Sequence, residues 1–230
     1  MEIAGYAPRD LLLFSAETYW RLFALQSEAL WPWPLAVQGL GLAALALAFR
    51  PRRWSGRALA ALLGLGWASV AAGFLATRYA PVNWAVEYAI PLAWAQAAGL
   101  LAAALAGRLR PVDPRGARGA LGSGLLAAAV IAWPLFAPLS GRPLAGAEIA
   151  GLAPDPTAVA TLGLLALAPR GAWSWALAAV PLLWCLASAA VLLTLGSWQG
   201  WALAAAAVLS GVALALPARG DAEIAIIRER

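Results

Sequence analysis

The sequence predicts an all-α protein, a polytopic transmembrane helical bundle of about seven spans, and three observations predict it. Of its 230 residues, 63% are hydrophobic and only 12% charged, about half the charge of a soluble domain. Apolar runs of helical length alternate with short, Arg-bearing loops. All sixteen basic residues are Arg, with no Lys in the chain, and they collect on alternate loops, as retention of basic loops on the cytoplasmic side requires. The net charge of +5 is therefore read as topology and predicts no nucleic-acid partner.

A tail of residues 1–14, which has neither a basic n-region nor a cleavage pattern, precedes a single helical domain over 15–216. Residues 15–30 predict an amphipathic helix capped by Ser15, with Glu17, Arg21 and Glu28 on one side and Leu22, Phe23 and Leu25 on the other. Such a helix is expected to lie in the outer membrane interface. Trp31-Pro-Trp-Pro34 ends it and sets two indoles at headgroup level.

The first span is expected from Pro34 to Phe49, ending in Arg50-Pro-Arg-Arg-Trp-Ser-Gly-Arg57. The second runs from Ala58 to Ala76. The third, Trp84 to Gly107, leads to a second Arg-rich loop over 108–118, and the fourth covers Ala120 to Leu139. Gly151-Leu-Ala-Pro-Asp-Pro-Thr157 then introduces an apolar run to Ala168. Between Pro156 and Pro169 there is room for about 12 helical residues, roughly 18 Å, against a hydrocarbon core of about 30 Å. Asp155 reads as the N-cap of this helix and Pro156 as its first residue. Two more spans, Trp173 to Leu195 and Trp201 to Leu216, complete the domain before a cytoplasmic tail over 217–230.

Whether the short segment crosses decides the topology. If it crosses, the N-terminus is outside, the C-terminus is cytoplasmic, and Arg50, Arg52, Arg53, Arg57, Arg108, Arg110, Arg115, Arg118, Arg170, Arg219, Arg228 and Arg230 all lie inside. The alternative, six spans plus a re-entrant helix, divides the arginines evenly. The crossing reading is preferred and predicts an inner-membrane protein with its Arg-rich loops cytoplasmic. A weak internal repeat accompanies it: Ile90-Pro-Leu-Ala-Trp94 resembles Val180-Pro-Leu-Leu-Trp184, on helices that would run in opposite senses.

The absences exclude chemistry. With no His and one Cys, Cys185, bis-His haem ligation and a His/Cys zinc site are out of reach. Without Lys there is no Schiff base to retinal. No phosphate loop, nucleophile elbow or carboxylate pair supports an enzyme, and no catalytic residue, cofactor or metal is expected.

Five residues remain as a candidate polar site near the outer face: Asn83, Glu87, Arg78, Asp155 and Thr157. Glu87 is the one acid inside an apolar run, one turn beyond Asn83, with Arg78 as its expected partner. Its alternative is a solvated position beneath Trp84. Asp155 and Thr157 stand where the short helix begins, and short Pro-interrupted helices are where transporters often place substrate or ion sites. Gln38, Gln96 and Thr161 are expected to hold helices together. Of the thirteen Trp, most fall at interfaces, whereas Trp67, Trp94, Trp133 and Trp184 are expected deeper.

The phrases Ala24-Leu-Gln-Ser-Glu-Ala-Leu-Trp-Pro32, Arg78-Tyr-Ala-Pro-Val-Asn83, Gly151-Leu-Ala-Pro-Asp-Pro-Thr-Ala-Val-Ala-Thr-Leu-Gly163 and Val180-Pro-Leu-Leu-Trp184 together resemble a family of bacterial polytopic membrane proteins catalogued only as a domain of unknown function. The resemblance implies a fold and a location and no activity. The family pattern carries a Tyr-His pair where this chain has Phe74-Leu75, and Pro-Cys-Pro-Thr where it has Pro154-Asp155-Pro156-Thr157. Any soft-metal handling by relatives is therefore not expected here. The reading that follows is a transporter or permease for a small solute or ion. A non-catalytic accessory or scaffold subunit is the alternative, with the lipid bilayer and other membrane proteins as its partners.

Overall fold

In the computed structural model, residues 12–109, 114 and 116–217 are described, and their regular elements are eight helices and a short 3-10 turn. Helix α1 (Ala16–Ala29) is followed by α2 (Trp33–Phe49), α3 (Ser55–Tyr79), α4 (Trp84–Leu105) and α5 (Ala117–Leu139). The short helix α6 (Pro154–Leu167), α7 (Ala172–Thr194) and α8 (Gln199–Ala215) complete the chain. Four of these, α3, α4, α5 and α7, are long and apolar enough to cross a membrane, or five spans if the bent pair α1–α2 counts as one.

Helices α2 to α8 form a bundle in which successive elements reverse direction. The last turn of α3 and the loop after α5 lie at the end where α1 sits. The opposite end collects the Arg50–Arg57 loop, the end of α4, where Gly107 meets Arg57, and the start of α5. Helices α4 and α7 run antiparallel, joined by Gln96, which donates to the Leu177 carbonyl at 2.9 Å.

Helix α6 is the axis of the bundle. All fourteen of its residues are buried, because α3, α5, α7 and α8 surround it. Close approach to α5 is set by a glycine pair. A Cβ on Gly163 would lie 2.8 Å from the Gly122 carbonyl oxygen, and one on Gly122 would lie 2.9 Å from that of Gly163. Neither helix tolerates a side chain at this crossing.

The start of α6 differs from the expected cap. Pro154 is its first residue and Ala153 its N-cap, so Asp155 lies inside the first turn with its side chain free to leave the helix. Initiation falls instead to Thr157. Its hydroxyl donates to the Ala153 carbonyl at 2.6 Å and accepts from the Gly151 amide at 2.7 Å. Gly151 holds φ +94°, and its Cα would lie 3.0 Å from a Cβ on Gly66 of α3, so the turn is pressed directly onto the α3 backbone.

The other end of α6 is capped by Arg118. This buried side chain, 3% exposed, donates to the carbonyls of Ala166 at 2.8 Å and Ala168 at 2.9 Å, and to Leu216 beyond α8 at 3.3 Å. Helices leave their last carbonyls without partners, and a guanidinium supplies several donors beside the negative end of the dipole. The sequence places Arg118 at the end of an Arg-rich loop; in the fold it is also a structural cap.

Helix α1 differs in what its apolar stripe faces. Ser15 caps it as expected, accepting from the Thr18 amide at 3.2 Å. Its buried residues, Tyr19, Leu22, Phe23 and Gln26, pack on the bundle and not outward. Phe23 stacks on Phe74 with ring centroids 4.7 Å apart, and Tyr19 meets Tyr79 edge-on at 5.6 Å. A 97° bend separates α1 from α2, which lays α1 across the end of the bundle. The expected polar glue is present: Gln38 donates to the Val130 carbonyl at 2.7 Å in the π-helical turns of α5, and Trp67 donates to Thr161 at 2.9 Å. Trp67 and Trp133 are buried, whereas Trp94 is half exposed on the bundle surface.

Candidate functional site

Because α6 is short, its first turn lies well below the end of its neighbours. Asp155 reaches Trp184 and Ser188 on α7, which are 12 and 16 residues from the first residue of that helix, Ala172. At the helical rise those are depths of about 18 and 24 Å, whereas the full 23 residues of α7 extend about 34 Å. The start of α6 therefore lies about 10 Å short of the end of α7. Helix α1 lies over it.

At that start the Asp155 carboxylate is buried, 1% exposed. Oδ1 accepts from the Trp184 indole at 2.7 Å and from the Ser188 hydroxyl at 2.9 Å. A buried carboxylate without donors would cost several kcal/mol; here the donors come from α7 and the positive end of the α6 dipole lies beside it.

A second acid, Glu148, lies in the loop between α5 and α6 and is 2% exposed. Its Oε1 is 3.9 Å from Arg142 Nη2, an ion pair too long to be a hydrogen bond. Among the described residues, Oε2 and all three guanidinium nitrogens of Arg142 have no hydrogen-bonding partner. The guanidinium stacks instead on Trp20 of α1, 3.6 Å from the ring centroid. Burial pushes the Glu148 carboxyl well above the usual carboxylate range, Asp155 pushes the same way, and Arg142 and the Trp133 hydrogen bond oppose them. Burial likewise lowers Arg142, against Glu148 and Tyr19. The Tyr19 phenol, fully enclosed between α1 and this pair, is raised by burial first and by Asp155, Tyr79 and Glu148 after it.

A cavity of about 240 Å³ opens beside this cluster between α4 and α7. Its walls are apolar, from Val86, Leu92, Val180 and Leu183; Tyr79, Asn83, Trp184 and Ser188 supply its polar groups. The two side chains that hold Asp155 therefore form part of the cavity wall.

Of the five residues read from the sequence, Asp155 is in this cluster and Asn83 lines the cavity, where its side chain also accepts from the Ala85 amide at 3.2 Å. Thr157 is buried beneath, used up in the turn at Gly151. Glu87 is exposed, the solvated alternative, and Arg78 does not pair with it: its Nε donates to Gln26 of α1 at 3.2 Å. The acid beside Asp155 is Glu148. Sequence reasoning passed over Glu148, Arg142, Tyr19 and Ser188. One signal was available, since Arg142, Glu148 and Asp155 fall in a single loop between apolar runs. Among the described residues no group of three or more His, Cys, Asp or Glu comes together to hold a metal ion.

A family of unknown function, DUF6064, matches residues 16–225. No curated protein and no solved structure matches the chain.

Proposed function

The chain belongs to the DUF6064 family of unknown function, so its role has to be read from the site, and we propose that it is a transporter or permease for a small solute or ion in a bacterial inner membrane. In this reading the chain crosses seven times, α6 included, with the Arg-rich end cytoplasmic and the α1 end outside.

The observation that carries the proposal is the pair of buried acids, Glu148 and Asp155, with Arg142, at the first turn of a short central helix and beneath a helix that bends away at Trp31-Pro32. Burying three ionisable groups lowers stability unless they are fully paired, and Arg142 and Glu148 keep hydrogen-bonding capacity unspent. Ionisable groups so placed carry protons or bind a polar solute in many membrane proteins. In the proposed cycle a solute enters beneath α1, exchanges with the Arg142–Glu148 contact, and is released after the acids change protonation.

Reconstitution into proteoliposomes with an internal pH dye tests this. Pools of small amines, amino acids and sugars, offered under an imposed proton gradient, should produce solute-dependent proton movement, absent in the double variant Glu148→Gln/Asp155→Asn. Movement that persists unchanged in that variant removes both acids from the mechanism.

The second reading is an accessory subunit packed against another membrane protein. Gly39 of α2 and Gly124 of α5 support it, because they are exposed and have open space where a side chain would go, as close helix approach requires. Isolation in mild detergent as a lone monomer counts against it.

A further inference from the structure

The far end of the bundle holds a second, differently built site. The loop after α2 turns back on Ser55, whose hydroxyl accepts from the Arg52 amide at 2.7 Å and whose amide donates to the Arg52 carbonyl at 3.0 Å. That turn fixes Arg52 and Arg53 beside the start of α3. Arg57 lies one turn further on, against the end of α4. Gly107 makes this approach feasible: it holds φ +62°, and a Cβ there would be 2.7 Å from the Arg57 Nη2. The result is a cleft of about 740 Å³ lined by Arg52, Arg53, Trp54, Arg57, Gly107 and Leu109. Among the described residues no acid pairs with these three arginines, so they repel one another.

A shallower groove of about 430 Å³ continues from this cleft along α3 and α4, lined by Ala58, Ala61, Ala104 and Leu105. Trp54 and Arg57 line both, so the cationic cleft and the apolar groove meet along one edge. Leu105 is 87% exposed and Trp54 is 52% exposed.

We infer that this composite cleft binds an anionic phospholipid, with the headgroup phosphate among Arg52, Arg53 and Arg57 and one acyl chain along Ala61 and Leu105. Guanidinium forks match phosphate oxygens bidentately, and basic pockets between spanning helices hold anionic headgroups. Trp54 sits at the boundary between the two parts, where an indole is placed at headgroup level. Free phosphate would use the arginines alone; the adjoining apolar groove selects the lipid. The site lies at the opposite end from Asp155 and does not depend on transport.

Native mass spectrometry of the detergent-purified protein tests it, with phosphatidylglycerol, phosphatidylcholine and inorganic phosphate as probes. Wild type should retain phosphatidylglycerol over phosphatidylcholine. Arg52→Gln/Arg53→Gln/Arg57→Gln should lower that retention about a hundredfold, taking roughly one kcal/mol per surface arginine. Arg21→Gln, an exposed charge on α1, should leave retention unchanged. Ala61→Trp, which fills the groove, should lower retention of the lipid and not of inorganic phosphate. Equal retention of the two lipids, wild-type retention by the triple variant, or full displacement of the lipid by inorganic phosphate would overturn the assignment. If the triple variant unfolds, Arg57→Gln compared with Arg21→Gln gives the same contrast with one charge removed in each.

Discussion

Trp184 of α7 donates its indole N–H to the Asp155 carboxylate at 2.7 Å, and so ties the middle of a 23-residue helix to the first turn of the 14-residue α6. The bond fixes where α6 begins along α7, beneath α1.

Replacing Trp184 with Phe leaves Asp155 with the Ser188 hydroxyl alone. Loss of a hydrogen bond to a charged acceptor costs about 1.5–3 kcal/mol, so the unfolding temperature in detergent should fall. The effect should shrink in an Asp155→Ala background, where the indole has lost its acceptor. A double-mutant cycle should read a coupling of about 1 kcal/mol or more, and strict additivity would mean that the bond carries no stability.

At the other end of α6, Arg118→Ala removes the donors to Ala166, Ala168 and Leu216 at once. Buried carbonyls left without partners cost about 1–3 kcal/mol each, so this should be among the most destabilising single substitutions in the chain. Arg118→Lys should recover part of the loss, because an ammonium keeps the charge but cannot reach as many carbonyls. An unfolding temperature unchanged in Arg118→Ala would show that α6 does not need its cap.

The glycine crossing gives a matched pair. Gly163→Ala would place a methyl 2.8 Å from the backbone of α5, and overpacking of that kind costs about 1–3 kcal/mol. Gly124→Ala meets nothing within 4 Å and should be neutral or slightly stabilising, since Ala is the better helix former. Equal effects of the two would contradict the close α5–α6 contact.

Much of the helical layout was legible because apolar runs and Pro or Gly breaks are local signals. The observed ends of α2, α6 and α7 lie within about two residues of those expected, the usual limit of boundary assignment. Partners were not legible. Glu87 sits in an apolar run, which left a buried and a solvated position both open; it lies in the 3-10 turn at Trp84–Tyr88 and is exposed. Arg118 looked like one more loop charge, because only the fold shows that the last turn of α6 ends beside it. The α1 stripe was visible, but a helix wheel does not distinguish lipid from protein as the surface it covers. The π-helical turns in α3 and α5 had no sequence signal at all.

Glu148 predicts a pH dependence. Its carboxyl is raised above the ordinary 4.5 of a free glutamate by burial, so the folded protein holds this proton to a higher pH than the unfolded chain does. Stability should then be full below pH 4.5, fall as pH rises from there through the folded-state value, and level off above it. Glu148→Gln should flatten that fall in a series of unfolding temperatures taken from acid to alkaline pH. Identical slopes in the two proteins would exclude Glu148 as the source.

The account rests on α6 joining the two faces of the membrane, which side-specific labelling reads directly. With Cys185 replaced by Ala, single cysteines at Arg170, Leu144 and Arg53 can be probed with a membrane-impermeant maleimide; all three positions are exposed. Position 170 should label from the same side as position 53, and position 144 from the opposite side. If positions 170 and 144 label from one side, α6 re-enters, and both the seven-span topology and a site set between the two faces are contradicted.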